Sequence, residues 1–186
     1  MKKATIFFAL LLFAGVANAS YIGMFADADA TVCNLDYVPF APQTTYVGVV
    51  VDPTEFPNGI VAAEFKIDNY FPNNGLGMVT VTATSQVVIG AMDTDYSIAW
   101  STPQTGAFVT IATLTSVGFN AAWLGTDHVM TIMAGDDCAC LVIVDDAFIQ
   151  HGTVGGSFTF NCTIDCDCLE GTATEDASWS AVKALF

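Results

Sequence analysis

The stretch Asp136–Cys168, DDCACLVIVDDAFIQHGTVGGSFTFNCTIDCDC, decides the fold because it contains five of the six cysteines in the chain. Two apolar runs in it have strand character. Cys140–Val144 is rich in β-branched residues, and Ser157–Phe160 alternates polar with aromatic residues. A glycine-containing turn centred near His151 would join the two runs as an antiparallel hairpin. The stretch therefore predicts a β-hairpin held by disulfides.

The register of that hairpin predicts which cysteines pair. A reversal near His151 places Cys140 opposite Cys162, and opposed β-carbons lie about 4.5–5.5 Å apart, which is close to the range for a disulfide. A slip of one residue would select a different pair. We expect a bridge from Cys138 or Cys140 to Cys162, with Cys33 also oxidised. The candidate disulfide residues are Cys33, Cys138, Cys140, Cys162, Cys166 and Cys168.

The N-terminal 19 residues have the pattern of a secretory signal peptide. Lys2 and Lys3 form the positive n-region, Ile6–Val16 forms the apolar core, and Ala17–Ala19 matches a small-x-small cleavage site before Ser20. The apolar run is shorter than the ~20 residues of a transmembrane helix, and no later segment reaches that length. We therefore expect a secreted or cell-surface protein, with the periplasm as an alternative.

Export decides how the cysteines are interpreted. Thiols in an oxidising compartment form disulfides, whereas a Cys-x-Cys pair in a reducing one could bind zinc or copper. Zinc sites favour Cys-x2–4-Cys spacing, which these pairs match only in part. Disulfides are therefore the favoured interpretation.

The expected organisation of the chain has three parts. They are a signal peptide over 1–19, one β-sandwich over 20–170 and a tail over 171–186.

The charge is strongly negative and excludes some classes of partner. The full sequence carries a net charge of −15, and loss of Lys2 and Lys3 leaves two lysines against 19 acidic residues, a net charge of −17. Without arginine, and with only Lys66 and Lys183 remaining, the chain has no basic patch that could neutralise phosphates. We therefore expect no nucleic-acid partner and no binding to an anionic membrane surface.

The body of the chain consists of short apolar segments separated by Gly, Pro, Asn and Asp, a spacing typical of antiparallel sandwiches and barrels. We predict an all-β antiparallel sandwich, immunoglobulin-like or jelly-roll-like, followed by a short C-terminal helix. Besides the two runs of the central stretch, the predicted strands are Tyr21–Ala26, Thr45–Val51, Ile60–Ile67, Met78–Thr84, Val87–Ala91, Tyr96–Trp100, Phe108–Thr115 and His128–Ala134.

The terminal segment Glu170–Phe186 is the convincingly helical part of the sequence. Thr172 and Glu175 have the spacing of a capping box, and an apolar stripe follows them. A helix this short is marginal alone in water, so the stripe must dock. Two interpretations are open: the stripe packs on the sandwich of its own chain, or it is a sorting or assembly tag that a partner binds. The docking residues are Trp179, Val182, Leu185 and Phe186.

Several short motifs resemble a group of exported proteins from environmental Gram-negative bacteria. They span most of the mature chain: Ile22–Asp27, Thr31–Asn34, Ala63–Lys66, His128–Ile132 with the following Cys138 and Asp145–Gly152 turn, and Trp179–Phe186. This resemblance implies export and a β-rich fold, and it carries no activity. The strand order is also similar to that of cohesin-like and other immunoglobulin-like surface modules, which is a likeness of fold.

No motif in the sequence predicts catalysis or a cofactor. There is no Gly-x-Ser-x-Gly, and of the two histidines His128 begins an apolar strand while His151 lies in a turn. A glycosidase needs two carboxylates about 5–10 Å apart, and among 19 acids such pairs arise by chance. An extracellular hydrolase is therefore the least favoured function, and we expect a protein that is not an enzyme.

Acidic pairs in turns make calcium the candidate metal ion. Calcium takes six to eight oxygen ligands, commonly carboxylates from loops. The candidate ligands are Asp27, Asp29, Asp145 and Asp146, although no EF-hand is present because Val32 occupies the position that requires glycine. Solvated turn acids are the alternative interpretation.

The sequence thus predicts a disulfide-stabilised surface, adhesion or assembly module with an unknown protein or glycan partner, and with self-association as a further possibility. The second hypothesis is a glycan or small-molecule binder that depends on calcium. Aromatic residues would carry glycan binding, with burial in the core as their alternative role. The candidates are Tyr70, Phe71, Trp100, Trp123 and Trp179.

Overall fold

The structure is a computed structural model that describes residues 20–71, 77–119, 125–163 and 166–169. The predicted signal peptide, the terminal helix and its docking residues lie outside these ranges. No helix in the described ranges is long and apolar enough to cross a membrane. The strands are β1 (Tyr21–Phe25), β2 (Asn34–Leu35), β3 (Pro42–Val50), β4 (Ile60–Asp68), β5 (Gly77–Ala83), β6 (Val87–Ala91), β7 (Asp95–Gln104), β8 (Phe108–Gly118), β9 (His128–Met133), β10 (Val142–Asp145), β11 (Gln150–Gly152), β12 (Val154–Gly155) and β13 (Ser157–Phe160).

The strands form two sheets. The smaller has the order β12-β1-β3-β8-β5. The larger runs β11-β10-β4-β9-β13-β2, with β7 added to β4 and β6 added to β7. The nine-residue β4 makes this branching possible, because its first half pairs with β7 and β10 while its end pairs with β9. The prediction of an all-β sandwich is confirmed.

Both sheets are mixed, so the prediction of a purely antiparallel sandwich is wrong. β1 pairs in parallel with β12, and β13 pairs in parallel with β2. Each parallel pair joins segments more than a hundred residues apart and uses a strand of two residues at a sheet edge. Sequence periodicity carries no information about which strands pair over such a separation, and for this reason the two parallel pairs were not predicted.

The core lies between the sheets and is rich in aromatic rings. β13 is buried at all four residues, and Phe158 and Phe160 pack edge to face with ring centroids 5.2 Å apart. Alternation in β4 sends Ala63, Phe65 and Ile67 inward. The largest fully buried side chains are Phe25, Phe65, Phe71, Phe158, Phe160, Ile22, Ile60, Ile67, Ile98, Ile111, Leu114 and Met130.

The predicted hairpin between Cys140–Val144 and Ser157–Phe160 does not form. The chain reverses earlier, at residues 145–149, where the Asp145 carboxylate accepts hydrogen bonds from the amides of Ala147 (2.9 Å) and Ile149 (2.8 Å). β10 therefore pairs with β11 and β4, and the chain then crosses to the other sheet as β12 before it returns as β13 beside β9.

The early reversal also changes the disulfides. The six cysteines are all oxidised, as expected, but the predicted bridge from Cys138 or Cys140 to Cys162 is wrong because their segments pair with different strands. Cys33 bridges to Cys168 with a Cα–Cα distance of 5.3 Å and ties the loop after β1 to the last described residues. The other two bridges are local: Cys138–Cys140, and Cys162–Cys166.

Candidate functional site

The outer surface of the larger sheet carries an apolar groove. Residues at alternate positions of β4 and of its neighbours form two rows across four strands, and the register places each row in line. We call these eight residues the outer groove. The first row is Val87, Ala99, Ala62 and Val144, and the second is Ile89, Ser97, Glu64 and Val142.

Side-chain size gives the groove its shape. Its middle is formed by small side chains, Ala62 and Ala99 in one row and Ser97 in the other, whereas larger aliphatic side chains stand at both edges. The resulting depression has a volume of about 190 Å³. Ile89 is 72% exposed and Val87 is 57% exposed, so one edge leaves its aliphatic side chains in water. Exposed apolar side chains grouped in this way are common where proteins make contact.

The electrostatics of the groove are simple. Glu64 is the one acidic residue among its eight members, and the two ion pairs within the described ranges, Lys66–Asp136 and His151–Asp145, do not include it. Lys66 lies beside the groove, and its hydrogen bond to Asp136 raises the pKa of the ammonium group. The lysine is thus already engaged, and the groove presents apolar surface with a single carboxylate.

Two cysteines lie beside that carboxylate. The Sγ atom of Cys138 is 2.8 Å from Oε1 of Glu64, and the turn through Ala139, with φ of 52°, brings Cys140 to the same side. The ligand atoms of the three residues lie within 4.8 Å of one another. Among the described residues, these three form the one group of His, Cys, Asp or Glu side chains that is compact enough to hold a metal ion.

The predicted calcium ligands Asp27 and Asp29 lie in the turn after β1. The Asp27 carboxylate accepts hydrogen bonds from the hydroxyl of Thr31 (2.6 Å) and the amide of Val32 (2.8 Å), so it caps its own loop. Partial burial acts to raise the pKa of Asp27, but these hydrogen bonds outweigh it and the pKa is lowered. Asp29 is exposed.

Asp145 has a similar role in the turn after β10. Besides the two amides described above, its carboxylate contacts Nε2 of His151 at 2.9 Å. The hydrogen bond with His151 contributes most to lowering the pKa of Asp145, and the hydrogen bond from the amide of Ile149 contributes next. Asp146 is exposed at the surface of the same turn. The four predicted calcium ligands are therefore not gathered into one cluster, and calcium binding stays a prediction.

The two histidines occupy structural positions. His128 begins β9, and its Nε2 lies 3.1 Å from the carbonyl oxygen of Asn69. Burial lowers the pKa of His128, so the neutral ring is the favoured form. His151 contacts Asp145 and packs edge to face on Phe56 at a centroid distance of 5.0 Å. Each ring holds a turn or a strand end in place.

A second depression opens between the sheets, where β5 faces the β6–β7 hairpin. Its volume is about 450 Å³, and its walls are mostly aliphatic, with the side chains of Val79, Val81 and Val88. Tyr96 is 3% exposed, and its hydroxyl has no hydrogen-bond partner in the described part of the molecule. Burial raises the pKa of Tyr70, and the Asp93 carboxylate adds to the effect. We call this depression the inter-sheet cleft.

The structure describes three of the five aromatic residues that were candidates for glycan contact. Tyr70 and Phe71 are buried in the core, which is the alternative role, and they are not available for glycan contact. Trp100 is half-buried, and its indole nitrogen donates to the hydroxyl of Thr84 at 3.2 Å. Trp123 and Trp179 lie outside the described residues.

The fold is similar to that of cohesin modules. The sixth cohesin of scaffoldin B from Acetivibrio cellulolyticus, solved in complex with a mutant Cel5 dockerin, superposes with a TM-score of 0.50 at 13% identity, over 76% of this chain and 99% of that one. A type I cohesin–dockerin complex, Coh-OlpA–Doc918 from Clostridium thermocellum, gives a TM-score of 0.47 at 13% identity, over 77% and 99%. The fold is cohesin-like. No family model and no curated protein matches the sequence.

The sequence contains a signal for the outer groove that our prediction did not use. Val87–Ala91 is apolar on both faces, and the outward positions of Ile60–Ile67 begin with a small residue, Ala62. An apolar outward row on strands that are otherwise half-buried is the pattern of a covered or contact-forming sheet face. Only the strand order, which the sequence did not reveal, brings these positions together.

Proposed function

We propose that the protein is an exported, non-enzymatic assembly or adhesion module that binds a protein partner through the outer groove. One observation carries the proposal: the sandwich has a mostly apolar groove across β6, β7, β4 and β10, and the aliphatic side chains of Val87 and Ile89 along its β6 edge are exposed. A sheet face with larger aliphatic side chains at its edges and small ones in the middle can accept a convex apolar ridge.

The charge of the chain limits the chemistry of the partner. The carboxylate of Glu64 lies within the groove, and the whole chain carries a net charge of −15. A partner with an apolar ridge flanked by lysine or arginine complements both features. A second copy of this chain would bring like charges together, including one Glu64 near another if the two grooves faced each other, so self-association is the less favoured use of this face.

The similarity to cohesins supports the class of function that we propose, which is binding of a protein partner. The cohesin of scaffoldin B was solved in complex with a dockerin, so a protein partner is one use to which a cohesin-like sandwich is put. At 13% identity the likeness extends to the fold, and the identity of the partner has to be found by experiment.

Matched variants of the mature protein test the proposal. Ile89→Asp places a charge in the groove, and Met78→Asp places the same charge on the outer face of the other sheet, at a methionine that is 62% exposed. We expect wild type and Met78→Asp to capture the same protein from an extract of the source cells. The recovered protein should then bind them equally in calorimetry and bind Ile89→Asp at least about tenfold more weakly, a loss of about 1.4 kcal/mol. Equal binding by both variants would contradict the proposal.

A second candidate function is small-molecule binding in the inter-sheet cleft. The unpartnered hydroxyl of Tyr96, in an otherwise aliphatic wall, favours it, because an unsatisfied buried hydroxyl costs about 1–3 kcal/mol that a ligand acceptor would recover. Asp93 at the same cleft favours a ligand with an apolar body and an amine or hydroxyl group. Screening a library of such compounds by thermal shift, with Tyr96→Phe as the control, tests this candidate. Equal shifts in both proteins would exclude Tyr96 as the recognition group.

A further inference from the structure

The Cys138–Cys140 disulfide differs in exposure and span from the long Cys33–Cys168 bridge. Cys138 is exposed and Cys140 half-buried, whereas Cys33 in the longest bridge is only 3% exposed. Exposed disulfides are the more readily reduced class. A bridge between residues two apart also constrains little of the unfolded chain, whereas Cys33–Cys168 spans 135 positions. Reduction of Cys138–Cys140 therefore removes little of the stabilisation that holds the sandwich together.

The contact between Glu64 and Cys138 has no favourable explanation in the oxidised protein. A disulfide sulfur carries no proton, so the carboxylate oxygen at 2.8 Å faces another acceptor. Neither ion pair of the described residues supplies a cation to Glu64, since Lys66 is paired with Asp136. A proton or a metal ion between oxygen and sulfur would make this contact attractive.

The surrounding backbone also favours a thiolate at Cys138. The amide of Cys140 donates to Sγ of Cys138 at 3.1 Å, which is the hydrogen bond that stabilises a sulfur ligand of a metal ion. Two thiolates and a carboxylate within 4.8 Å of one another form a compact set of three ligands. Such a set suits a thiophilic ion of the zinc class, with the fourth position open to water because Cys138 is at the surface.

We propose that the reduced form of this cluster, Glu64, Cys138 and Cys140, is a binding site for one Zn²⁺-class ion. A thiol reductant supplies two electrons and two protons, so that the disulfide becomes two thiols and the reductant becomes its own disulfide. Binding of the ion then releases the two thiol protons to solvent. The site is closed to metal while the disulfide is intact, and it is distinct in chemistry from the acidic turns in which calcium is predicted.

The test begins with the order of reduction. The folded mature protein is treated with increasing dithiothreitol, alkylated, and mapped by mass spectrometry. We expect Cys138 and Cys140 to be labelled before Cys33 and Cys168. Labelling of Cys33 and Cys168 first would overturn the proposal, because the site would then form only in a protein that has lost its longest bridge.

The second step measures metal binding with Cd²⁺ as the probe. The partly reduced protein, freed of reductant, should bind one Cd²⁺ per chain with a thiolate-to-metal charge-transfer band in the ultraviolet, and Zn²⁺ should compete. Glu64→Gln should weaken binding about tenfold or more, whereas Asp137→Asn, which removes an equal charge from an exposed neighbour outside the cluster, should change it less than about twofold.

Three results would overturn the proposal: equal losses in the two variants, Cd²⁺ binding of equal strength by the oxidised protein, or no charge-transfer band after reduction. The first would mean that only the local negative charge attracts the ion. The second would mean that the sulfurs are not ligands. Near-ultraviolet circular dichroism of each sample confirms that the sandwich is folded before binding is compared.

Discussion

At the scale of single residues, the acidic side chains of this protein hold turns closed. Asp145 is the clearest case, because its carboxylate accepts from two amides of its own turn and contacts His151 across the β10–β11 hairpin. This one side chain moves the chain reversal to residues 145–149 and thereby sets the partners of β10. Residues that appear in the sequence as possible metal ligands can thus have a structural role in the turns where they lie.

The role of Asp145 predicts a pH dependence of stability. Because the pKa of Asp145 is lowered in the folded protein, the unfolded chain takes up a proton at this residue at a higher pH than the folded chain does. The stabilisation by the ionised Asp145 carboxylate is therefore complete above the ordinary carboxyl pKa of 3.8, and it is lost as the pH falls through the lower pKa of the folded protein. We expect the difference in free energy of unfolding between wild type and Asp145→Asn, measured with urea, to shrink over that window. The exposed Asp29→Asn serves as the control, and an identical pH profile for both variants would contradict the assignment.

A close approach of backbone to side chain gives a second prediction. A β-carbon on Gly135 would overlap Oδ1 of Asp95, a buried carboxylate oxygen without a hydrogen-bond partner in the described residues. We expect Gly135→Ala to lower the free energy of unfolding by about 1–3 kcal/mol, the usual cost of overpacking. Gly152→Ala meets no atom within 4 Å and should change stability by less than about 0.5 kcal/mol. Urea unfolding measures both, and equal effects would refute the argument.

At the scale of strands and loops, the sequence predicted what depends on local periodicity and failed where distant pairing decides. Ile60–Ile67 was recognised because alternation reports which face is buried, and Val87–Ala91 was recognised because it is a short apolar run. The hairpin around His151 was wrong because the turn chemistry of Asp145 was not weighed against the glycines that follow it. The two parallel edge strands, β2 and β12, are too short for any periodic signal.

The same limit applies to the disulfides and to the outer groove. Their residues are visible in the sequence, but the pairs and rows exist only once the strand order is known. Glu64 is an example, since 74 positions separate it from Cys138, the residue it contacts. No spacing rule links two residues across such a distance, so the metal-competent cluster could not have been predicted from the Cys-x-Cys motif alone.

Loop length predicts how much each disulfide stabilises the fold. Replacing Cys33 and Cys168 by serine frees a separation of 135 positions and should cost about 2–5 kcal/mol, whereas replacing Cys162 and Cys166, four positions apart, should cost clearly less. Urea unfolding of the two double variants makes the comparison, and non-reducing peptide mapping verifies the remaining bridges. Equal losses, or recovery of a peptide that joins Cys140 to Cys162, would contradict the assigned pairing.

The terminal segment gives a prediction at the same scale. Among the described residues, the buried core is formed by side chains from Ile22 to Phe160. The hypothesis that the terminal segment is a sorting or assembly tag gives that segment no part in holding the sandwich together. We expect deletion of Ala177–Phe186 to change the melting temperature by less than about 3 °C, equivalent to no more than about 1 kcal/mol. The deletion should instead alter export, anchoring or self-association, measured by cell fractionation and sedimentation. A large loss of stability with unchanged localisation would show that Trp179 serves the core.

At the scale of the whole molecule, the two sheets have different outer faces. Both contribute one face to a shared aromatic core, and in the described residues the larger sheet carries the outer groove, with exposed aliphatic side chains along its β6 edge and a single carboxylate. The partner that we propose is basic because the chain has 19 acidic residues against four lysine and arginine residues.

The most direct test of this account is a methyl NMR titration of the mature protein with the partner recovered by capture. Methyl groups of Val87, Ile89, Val142 and Val144 report on the outer groove, and those of Val79 and Val81 report on the inter-sheet cleft. We predict that the partner shifts or broadens the groove methyls at one-to-one stoichiometry and leaves the cleft methyls unchanged. Changes confined to Val79 and Val81, with the groove methyls unmoved, would contradict the claim that the outer groove is the docking face.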